Sequence, residues 1–386
     1  MQRRSTRASI VRAVAVAAAR WCNPAFSPRE RALARVVERT RYSVPVVAYA
    51  FDRLFESIAA DALDETIARE LGDAHFEPIG RVCVISSRTT IGVAIIPAIF
   101  ALCAGCDVRV KDREDSLVGA FFETLAGESE ILASAAQAAA WNGEREEHDL
   151  AAYDAVVAFG SDDALRAIRA RLRPDARFIA YGPKASIGYV AREALASEDV
   201  ASSAARGAAR DFVLYDGEGC LSLHALFVER DGRLSPERFL ELLAGAVQGA
   251  SIDFPLGARA AGTIARVASA RDLGRFRGGP VHSDAEATFV LEIGHPERAP
   301  AFLPRVLAVH GVRDPVEMRA YVGRHRLPLE ACAVAGERYD VRAAAIAAGA
   351  NRIARFGELQ APPLSYAHGG RPRVSEFVRI VTEGTP

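Results

Sequence analysis

One cysteine, Cys220, stands between a glycine-flanked turn and an apolar, β-prone run that ends near Glu229. Gly217 and Gly219 allow the turn to adopt backbone conformations closed to other residues, and they leave room for a ligand beside the thiol. A thiol fixed between a turn and a strand is suited to nucleophilic attack. The alternative is an inert cysteine buried at the start of a strand, since free cysteine is among the most buried residue types.

Two lysines form a second unusual feature. Of the 48 basic residues, only Lys111 and Lys184 are lysine, and all the others are arginine. A lysine ammonium is a compact point charge, whereas the arginine guanidinium is a planar fork. The two lysines therefore indicate sites where an arginine guanidinium does not fit. The alternative is that lysine occurs at these two positions by chance.

Strands alternate with helices in the first half of the chain. Strands are predicted at 81–86, 107–111, 155–159 and 178–181, with helices between them, which favours a parallel, doubly wound sheet. Ligands bind such sheets outside the carboxyl ends of the strands. The candidate cofactor-binding residues at those ends are Ser86, Lys111, Arg113, Gly160, Ser161, Gly182 and Lys184. No G-x-G-x-x-G is present, so any dinucleotide is held differently from a standard Rossmann site.

The remaining segments complete a four-part organisation. A helical leader is predicted at residues 1–74 and a dinucleotide-binding αβ domain at 75–215. A catalytic αβ domain that contains Cys220 is predicted at 216–355, and a C-terminal arm at 356–386. Between the two sheets we predict a helix at 189–209, and a further helix is predicted at about 128–140. The catalytic domain is predicted to contain helices at 236–248 and 256–268 and strands at 287–293, 305–309 and 331–335.

Composition excludes several classes of protein. The net charge of −1 argues against a nucleic-acid binder, and no apolar stretch is long enough to span a membrane. The apolar N-terminal segment is interrupted by Arg12, unlike a signal peptide. The six cysteines are scattered, which favours a reducing, cytoplasmic location. Cys103 and Cys106 lack a second ligand pair, so we expect packing roles and no metal site.

Six segments resemble, in order, motifs of the aldehyde dehydrogenase superfamily, most closely its acyl-CoA reductase branch. That branch includes the fatty acid reductase of bacterial bioluminescence. The segments are 41–72, 80–87 with 104–111, 157–161, 178–184, 217–224 and 368–370. The resemblance implies an α/β fold of the aldehyde-dehydrogenase type, with two doubly wound parallel-sheet domains, a helical leader and a C-terminal β arm.

The resemblance also implies roles for individual residues. Cys220 is the implied nucleophile, and its backbone amide helps to hold the oxyanion. Lys111 reaches the adenosine ribose or a 2′-phosphate, and Gly160 with Ser161 lies under the cofactor pyrophosphate. Because Arg113 adds a second cation beside Lys111, NADPH is expected in preference to NADH.

Three departures from the family pattern bear on the chemistry. Ala180 replaces the glutamate that activates a hydrolytic water in the dehydrogenases, which favours thioester reduction over aldehyde oxidation. Thr89 lies near the position of an oxyanion-stabilising asparagine and donates one hydrogen bond at most. Glu218 replaces the usual glutamine, and it is either a proton donor or acceptor or a solvated turn residue. His224 is either a proton shuttle or, as we expect, a structural histidine.

The expected function is therefore the NAD(P)H-dependent reduction of an acyl thioester to an aldehyde, an EC 1.2.1-type activity. The acyl donor is acyl-CoA or an acyl carrier, and an acyl-activating enzyme is a possible partner. The arm implies a homo-oligomer. Two alternatives remain, namely a cysteine-dependent acyltransferase or thioesterase without hydride transfer, and a non-catalytic acyl-binding relative.

Overall fold

The computed structural model describes residues 2–87, 90–113, 115–140 and 149–382. The chain divides into two compact units. One unit comprises residues 1–40, 47–183 and 363–386, and the other comprises residues 41–46 and 184–362.

Four helices lead into the first unit. They are α1 (Gln2–Cys22), α2 (Ser27–Thr40), α3 (Val44–Glu56) and α4 (Ala60–Leu71). Their core is aromatic, since the buried Trp21 ring lies 4.9 Å from Phe55 and 6.0 Å from Phe121 between ring centroids. The Trp21 indole donates to Thr124 Oγ1 at 3.0 Å, which satisfies its buried N–H. The predicted helical leader is thus observed.

The first sheet is parallel and has five strands in the order β4-β3-β2-β5-β6. Its elements, after the short strand β1 (His75–Pro78), are β2 (Arg81–Ile85), α5 (Ile95–Ala104), β3 (Asp107–Lys111), α6 (Leu117–Glu128), α7 (Glu130–Ala135), β4 (Ala136–Ala139), β5 (Ala155–Phe159), α8 (Asp162–Arg169) and β6 (Arg177–Tyr181). The four predicted strands are confirmed. The helix predicted at 128–140 was wrong in its second half, because Ala136–Ala139 pairs with β3 as an edge strand.

The second sheet has seven strands in the order β13-β12-β7-β8-β11-β10-β9, and only β9 is antiparallel. Its elements are β7 (Ala185–Val190), α9 (Glu198–Val213), β8 (Leu223–Glu229), α10 (Pro236–Asp253), α11 (Ala261–Phe276), β9 (Val281–His282), β10 (Val290–Ile293), β11 (Val306–Val312), α12 (Pro315–Arg324), β12 (Leu329–Ala335), α13 (Tyr339–Ala347) and β13 (Arg352–Ala354).

Two helices in this unit differ from the prediction. The helix predicted at 189–209 was wrong at its start, because 185–190 forms the fully buried strand β7 and α9 begins only after its cap Ser197. A strand buried on both faces lacks the alternation of apolar and polar residues that identifies half-buried strands. The helix predicted at 256–268 is displaced to Ala261–Phe276.

The predicted domain limits also differ from the two compact units. The division falls after Pro183, because β7 pairs with β8 and β12 of the second sheet. The segment predicted as 75–215 therefore contributes to both units.

The C-terminal arm is anchored on the first unit. Its strand β14 (Val378–Val381) pairs antiparallel with β1, with His75 opposite Val381. The Glu70 carboxylate accepts the backbone N–H groups of Arg373, Val374 and Ser375 at 2.6, 2.7 and 3.0 Å. A role of the arm in oligomerisation stays a prediction. Within the described ranges, every helix is too short or too polar to span a bilayer.

Candidate active site

The turn before Cys220 has an unusual backbone. Tyr215, Asp216 and Gly217 have φ values of 53°, 52° and 73°, so three consecutive residues lie in the left-handed region. Two of them carry side chains, for which this conformation is unfavourable. Contacts made elsewhere must hold the turn, and Cys220 follows it, half-buried, before the amino end of β8.

A buried ion network holds this turn. The Asp216 carboxylate contacts Arg305 Nη2 at 2.9 Å and Nε at 3.1 Å, and both side chains are fully buried. Arg305 also donates to the carbonyls of Val213 and Phe254 at 3.2 and 2.6 Å. Arg259 pairs with the same carboxylate and with Glu218 at 3.2 Å. The buried charges of Asp216 and Arg305 are sustained because each is paired and hydrogen-bonded.

Hydrogen bonds join the Cys220 backbone to the neighbouring strands. Ser186 Oγ of β7 donates to the Cys220 carbonyl at 2.7 Å and accepts the Ala331 N–H of β12 at 3.1 Å. Ser222 Oγ accepts the Gly219 N–H at 3.1 Å and the Gln360 amide at 2.9 Å. The amino ends of β7, β8 and β12 therefore fix the position of the thiol.

The electrostatics of the site keep the thiol protonated. Burial raises the pKa of Cys220 to about 12, and the negative charge of Glu330 acts in the same direction. The backbone N–H groups of Cys220 and Leu221 and the charge of Lys184 oppose this increase in pKa. Lys184 lies immediately before β7 and donates to the Leu329 carbonyl at 3.4 Å. Formation of a thiolate thus requires a change in this balance of charges.

Glu218 forms an ion pair at the turn before Cys220. Its partly exposed carboxylate pairs with Arg259. Its pKa is raised by burial, and Arg259 opposes this shift while Asp216 adds to it. The acidic residue that acts on Cys220 is instead Glu330, which is fully buried at the start of β12. Glu330 was not predicted as a site residue, since it lies in a run that is typical of an ordinary strand.

His224 is buried beside β7. Its Nδ1 accepts the Ser186 N–H at 3.3 Å, and its ring lies 5.1 Å from that of Phe302. Burial lowers its pKa to about 4, so the ring is neutral at physiological pH. Because Nδ1 is occupied as an acceptor, the proton of the neutral ring lies on Nε2.

The predicted cofactor-binding edge is formed within the first unit. Gly160 donates its N–H to the Tyr181 carbonyl at 3.2 Å, and Ser161 Oγ caps α8 by accepting the Ala164 N–H at 3.3 Å. A Cβ at Gly160 would lie 3.3 Å from the Ala164 Cβ, and one at Gly182 would lie 3.2 Å from Asp162 Oδ1. The bare backbone at this helix N-terminus fits a phosphate group, although the Asp162 carboxylate beside it is unfavourable.

The other predicted cofactor residues have different surroundings. Ser86 donates its N–H to the Lys111 carbonyl at 3.2 Å, which joins the ends of β2 and β3. Arg113 is turned inward, where it pairs with buried Asp115 at 3.0 Å and donates to the Thr90 carbonyl at 2.9 Å. Its guanidinium thus stabilises the fold. Thr89 lies outside the described residues.

The tail contributes an aromatic group at the same edge. The His368 ring stacks on Tyr181 at 4.6 Å with an interplanar angle of 9°, and Tyr181 stacks on Phe159 at 4.8 Å and 12°. Phe159 and Tyr181 are the last residues of β5 and β6. His368 was predicted only as part of the motif at 368–370, and its stacking on Tyr181 was not predicted.

The remaining cysteines are buried or packed. Burial raises the pKa of Cys103 to about 12 and that of Cys106 to about 11. Cys106 Sγ donates to the Phe377 carbonyl at 3.3 Å, which ties it to the arm. In the parts of the chain that the structure describes, no group of three His, Cys, Asp or Glu side chains is arranged to hold a metal ion.

Comparison with known proteins defines the class. The fold is that of the aldehyde dehydrogenases. A benzaldehyde dehydrogenase from Corynebacterium glutamicum superposes with a TM-score of 0.69 at 16% identity, over 97% of this chain and 84% of that chain. The gamma-glutamyl-gamma-aminobutyraldehyde dehydrogenase of Burkholderia cenocepacia has a TM-score of 0.73 at 18% identity, over 99% and 84%. The glyceraldehyde-3-phosphate dehydrogenase GapN of Methanocaldococcus jannaschii has a TM-score of 0.72 at 11% identity, over 98% and 88%.

Within this class, the chain belongs to the acyl-CoA reductase (LuxC) family, whose model matches residues 94–380. The matched range includes the predicted cofactor-binding edge after β5 and the Cys220 turn. The same family was predicted from the order of the six sequence segments, and that prediction is confirmed. A search of curated protein sequences gave no match.

Proposed function

We propose that the protein reduces an acyl thioester, either acyl-CoA or a carrier-bound acyl group, to an aldehyde with NADPH. The acyl group is transferred through a thioester on Cys220. The observation that carries this proposal is the position of Cys220, which is fixed by the amino ends of three strands in a member of the acyl-CoA reductase family.

The first step is thioester exchange. The Cys220 sulfur attacks the acyl carbonyl, the bond to the donor sulfur breaks, and the thiol proton leaves with the donor thiol. Lys184 favours the transient thiolate, because its charge lowers the pKa that burial raises. Before substrate binds, burial and Glu330 keep the thiol neutral, which protects it from oxidation and alkylation.

The cofactor-binding edge supports the reductive step. Gly160 and Ser161 would hold the pyrophosphate through the backbone at the N-terminus of α8, and Lys111 would hold the adenosine end. When bound, a nicotinamide cofactor supplies the hydride that, with one proton, converts the Cys220 thioester to an aldehyde and a free thiol. The preference for NADPH now depends on Lys111, since Arg113 is turned inward and paired with Asp115.

The residue at position 180 favours reduction over hydrolysis. The resemblance places the water-activating glutamate of the dehydrogenases at Ala180, the fourth residue of β6. A methyl group there cannot accept a proton from water. The thioester on Cys220 is therefore retained until it is reduced.

We also propose a cytoplasmic location and a homo-oligomer. All six cysteines are unpaired, as expected in a reducing compartment. The β1–β14 sheet has two strands, so a strand from a second copy would extend it. An acyl-activating enzyme is the proposed source of the thioester.

An absorbance assay tests the proposed function. The purified protein is mixed with acyl-CoA substrates of different chain lengths and NADPH, and loss of the reduced-nicotinamide absorbance is followed. Oxidation that is abolished in Cys220→Ala supports the proposal. Release of CoA without NADPH oxidation would instead identify an acyltransferase or thioesterase, and the absence of both would leave the acyl-binding alternative.

A further inference from the structure

The segment that joins α2 to α3 is built into the second unit. Residues 41–46 belong to that unit, although α2 and most of α3 belong to the first. Arg41 has a φ of 62°, in the left-handed region that is unfavourable for a residue with a side chain. Its carbonyl accepts the N–H of Ala258 at 2.9 Å. Contacts within the second unit therefore hold a strained backbone at this point in the chain.

Gly257 connects this segment to the turn before Cys220. A Cβ at Gly257 would lie 2.2 Å from the Arg41 carbonyl oxygen, so only glycine permits the observed approach of the two backbones. The N–H of Gly257 donates to Asp216 Oδ2 at 3.2 Å. Asp216 is one of the left-handed residues of the turn. The short segment 257–258 therefore contacts both Arg41 and the turn.

The Tyr42 ring makes a second connection to the turn. Only 5% of Tyr42 is exposed. Its ring forms an edge-to-face pair with the ring of Tyr215, with 6.2 Å between centroids and an interplanar angle of 79°. The Arg259 guanidinium lies over the Tyr42 ring, 5.6 Å from its centroid. Both arrangements are attractive, because the face of an aromatic ring is negative and its edge is positive.

Both partners of the Tyr42 ring contribute to the same turn. Tyr215 has a φ of 53° and is the first of its left-handed residues. Arg259 pairs with the carboxylates of Asp216 and Glu218. The Tyr42 ring therefore limits the movement of a strained residue and of the cation that pairs with both carboxylates of the turn.

We propose that Tyr42 is a positioning residue that acts on Cys220 through Tyr215 and Arg259. A left-handed backbone persists in a residue with a side chain only where surrounding contacts hold it. Loss of the ring would let the turn relax, and the thiol would leave the position that attack on a thioester requires. The thioester chemistry belongs to the proposed function, on which this inference rests, whereas the position of the thiol can be measured without a substrate.

Alkylation of Cys220 by iodoacetamide at pH 8, assigned by peptide mass spectrometry, tests the inference without turnover. Tyr42→Leu keeps a bulky apolar side chain but removes the ring, whereas Tyr42→Phe keeps the ring. We expect Cys220 to react at least about threefold faster in Tyr42→Leu, because a relaxed turn exposes the thiol and lowers its pKa. In Tyr42→Phe it is expected to react at the wild-type rate. Cys332, fully buried in β12, should stay unreactive in both variants.

Tyr321→Leu is the matched control in the same unit. Tyr321 is buried, and its ring lies 5.2 Å from that of Phe227 and 4.6 Å from that of His310. Neither partner belongs to the turn, so this variant loses a similar buried ring without loosening Cys220. Its Cys220 is expected to react at the wild-type rate. The same acceleration in Tyr321→Leu as in Tyr42→Leu would overturn the inference, because loss of any buried ring would then have this effect.

The kinetics of NADPH oxidation give the second readout. Tyr42→Leu is expected to lower kcat for acyl-CoA about fivefold or more while KM changes less than about twofold, because a displaced nucleophile affects the chemical step. Tyr42→Phe is expected to restore kcat. A larger KM with an unchanged kcat in Tyr42→Leu would overturn the inference.

The alkylation result also separates this inference from the proposed function. Unchanged alkylation of Cys220 in Tyr42→Leu would overturn the inference even if the reductase is active. Equal acceleration at Cys220 and Cys332 would also overturn it, because Tyr42 would then support the fold as a whole. Selective alkylation of Cys220 in Tyr42→Leu, without reductase activity in the wild type, would refute the proposed function alone.

Discussion

Arg305 Nη2 lies 2.9 Å from a carboxylate oxygen of Asp216, and neither side chain is exposed to solvent. Asp216 has a φ of 52° and lies four residues before Cys220. The ion pair thus fixes a strained turn to a residue 89 positions away along the chain. Arg259 adds a second cation to the same carboxylate and connects it to Glu218. The position of Cys220 depends on this network.

The first prediction concerns Arg305. Replacement in Arg305→Met leaves a buried carboxylate with only one cation, and breaking a buried pair costs about 3–5 kcal/mol in the free energy of unfolding. Urea denaturation followed by circular dichroism measures this loss. Arg305→Lys is expected to restore part of it, since one ammonium cannot replace every guanidinium contact.

Arg313→Met is the matched control, because Arg313 pairs with Glu317 on an exposed surface. Its urea midpoint is expected to remain that of the wild type. Equal midpoints for Arg305→Met and Arg313→Met would contradict the structural role of the network.

The second prediction concerns the carboxylate that raises the pKa of Cys220. Glu330→Gln removes a negative charge that raises the pKa of Cys220, so the thiolate forms at lower pH. At a fixed pH near 9, iodoacetamide is expected to alkylate this variant at least about threefold faster than the wild type. Peptide mass spectrometry assigns the modified cysteine.

Glu218→Gln serves as the comparison, because Glu218 is closer in sequence but pairs with Arg259. Its alkylation profile is expected to match that of the wild type. A faster reaction in Glu218→Gln than in Glu330→Gln would show that the assignment of the two carboxylates is reversed.

The third prediction concerns pH and the buried carboxyl of Asp211. It accepts the Gly357 and Leu359 N–H groups at 2.7 and 3.1 Å, and burial raises its pKa to about 7. Between about pH 4 and 7 the folded state therefore binds more protons at this site than the unfolded state. Its contribution to stability is complete below pH 4 and is lost as the pH rises through 7.

Urea midpoints measured from pH 4.5 to 7.5 test this sign. In the wild type, ionisation of Asp211 is expected to lower the urea midpoint as the pH rises, and this decrease should disappear in Asp211→Asn. Asp253 is exposed, so Asp253→Asn is expected to keep the wild-type dependence of the urea midpoint on pH. An Asp211→Asn profile parallel to that of the wild type would show that this carboxyl does not titrate as the structure indicates.

The fourth prediction concerns His224. Because it is buried, neutral and hydrogen-bonded to Ser186, His224→Gln can keep the acceptor and should retain activity within about tenfold. The pH–rate profile of NADPH oxidation is expected to keep its shape. Loss of an ionisation from that profile, with the fold intact, would identify His224 as a proton carrier.

Features that depend on the order of residues within a short segment were predictable from the sequence. Alternating strands and helices predicted the first parallel sheet, and the glycines around Cys220 predicted the turn that precedes it. The short strand β7 was not predicted, because its buried residues alternate neither with polar residues nor with helical spacing. The predicted helix there was favoured by the alanine-rich sequence, and tertiary pairing with β8 and β12 determines the strand.

Side-chain partners that depend on how the elements pack were not predictable. Arg113 follows β3 beside Lys111, so the sequence placed both at a cofactor. Its actual partner, Asp115, is buried, and that burial depends on the packing of α6. In the same way, Glu330 affects Cys220 only because β12 and β8 both lie beside β7. Such relationships follow from strand order, which composition and spacing do not define.

Acylation of Cys220 tests the central claim most directly. The protein is incubated with acyl-CoA in the absence of NADPH, and peptide mass spectrometry measures the acyl adduct. The account predicts one acyl group on the peptide that contains Cys220, removed by added NADPH with release of the aldehyde, and no adduct in Cys220→Ala. An adduct on another residue, or turnover of acyl-CoA with NADPH in Cys220→Ala, would contradict it.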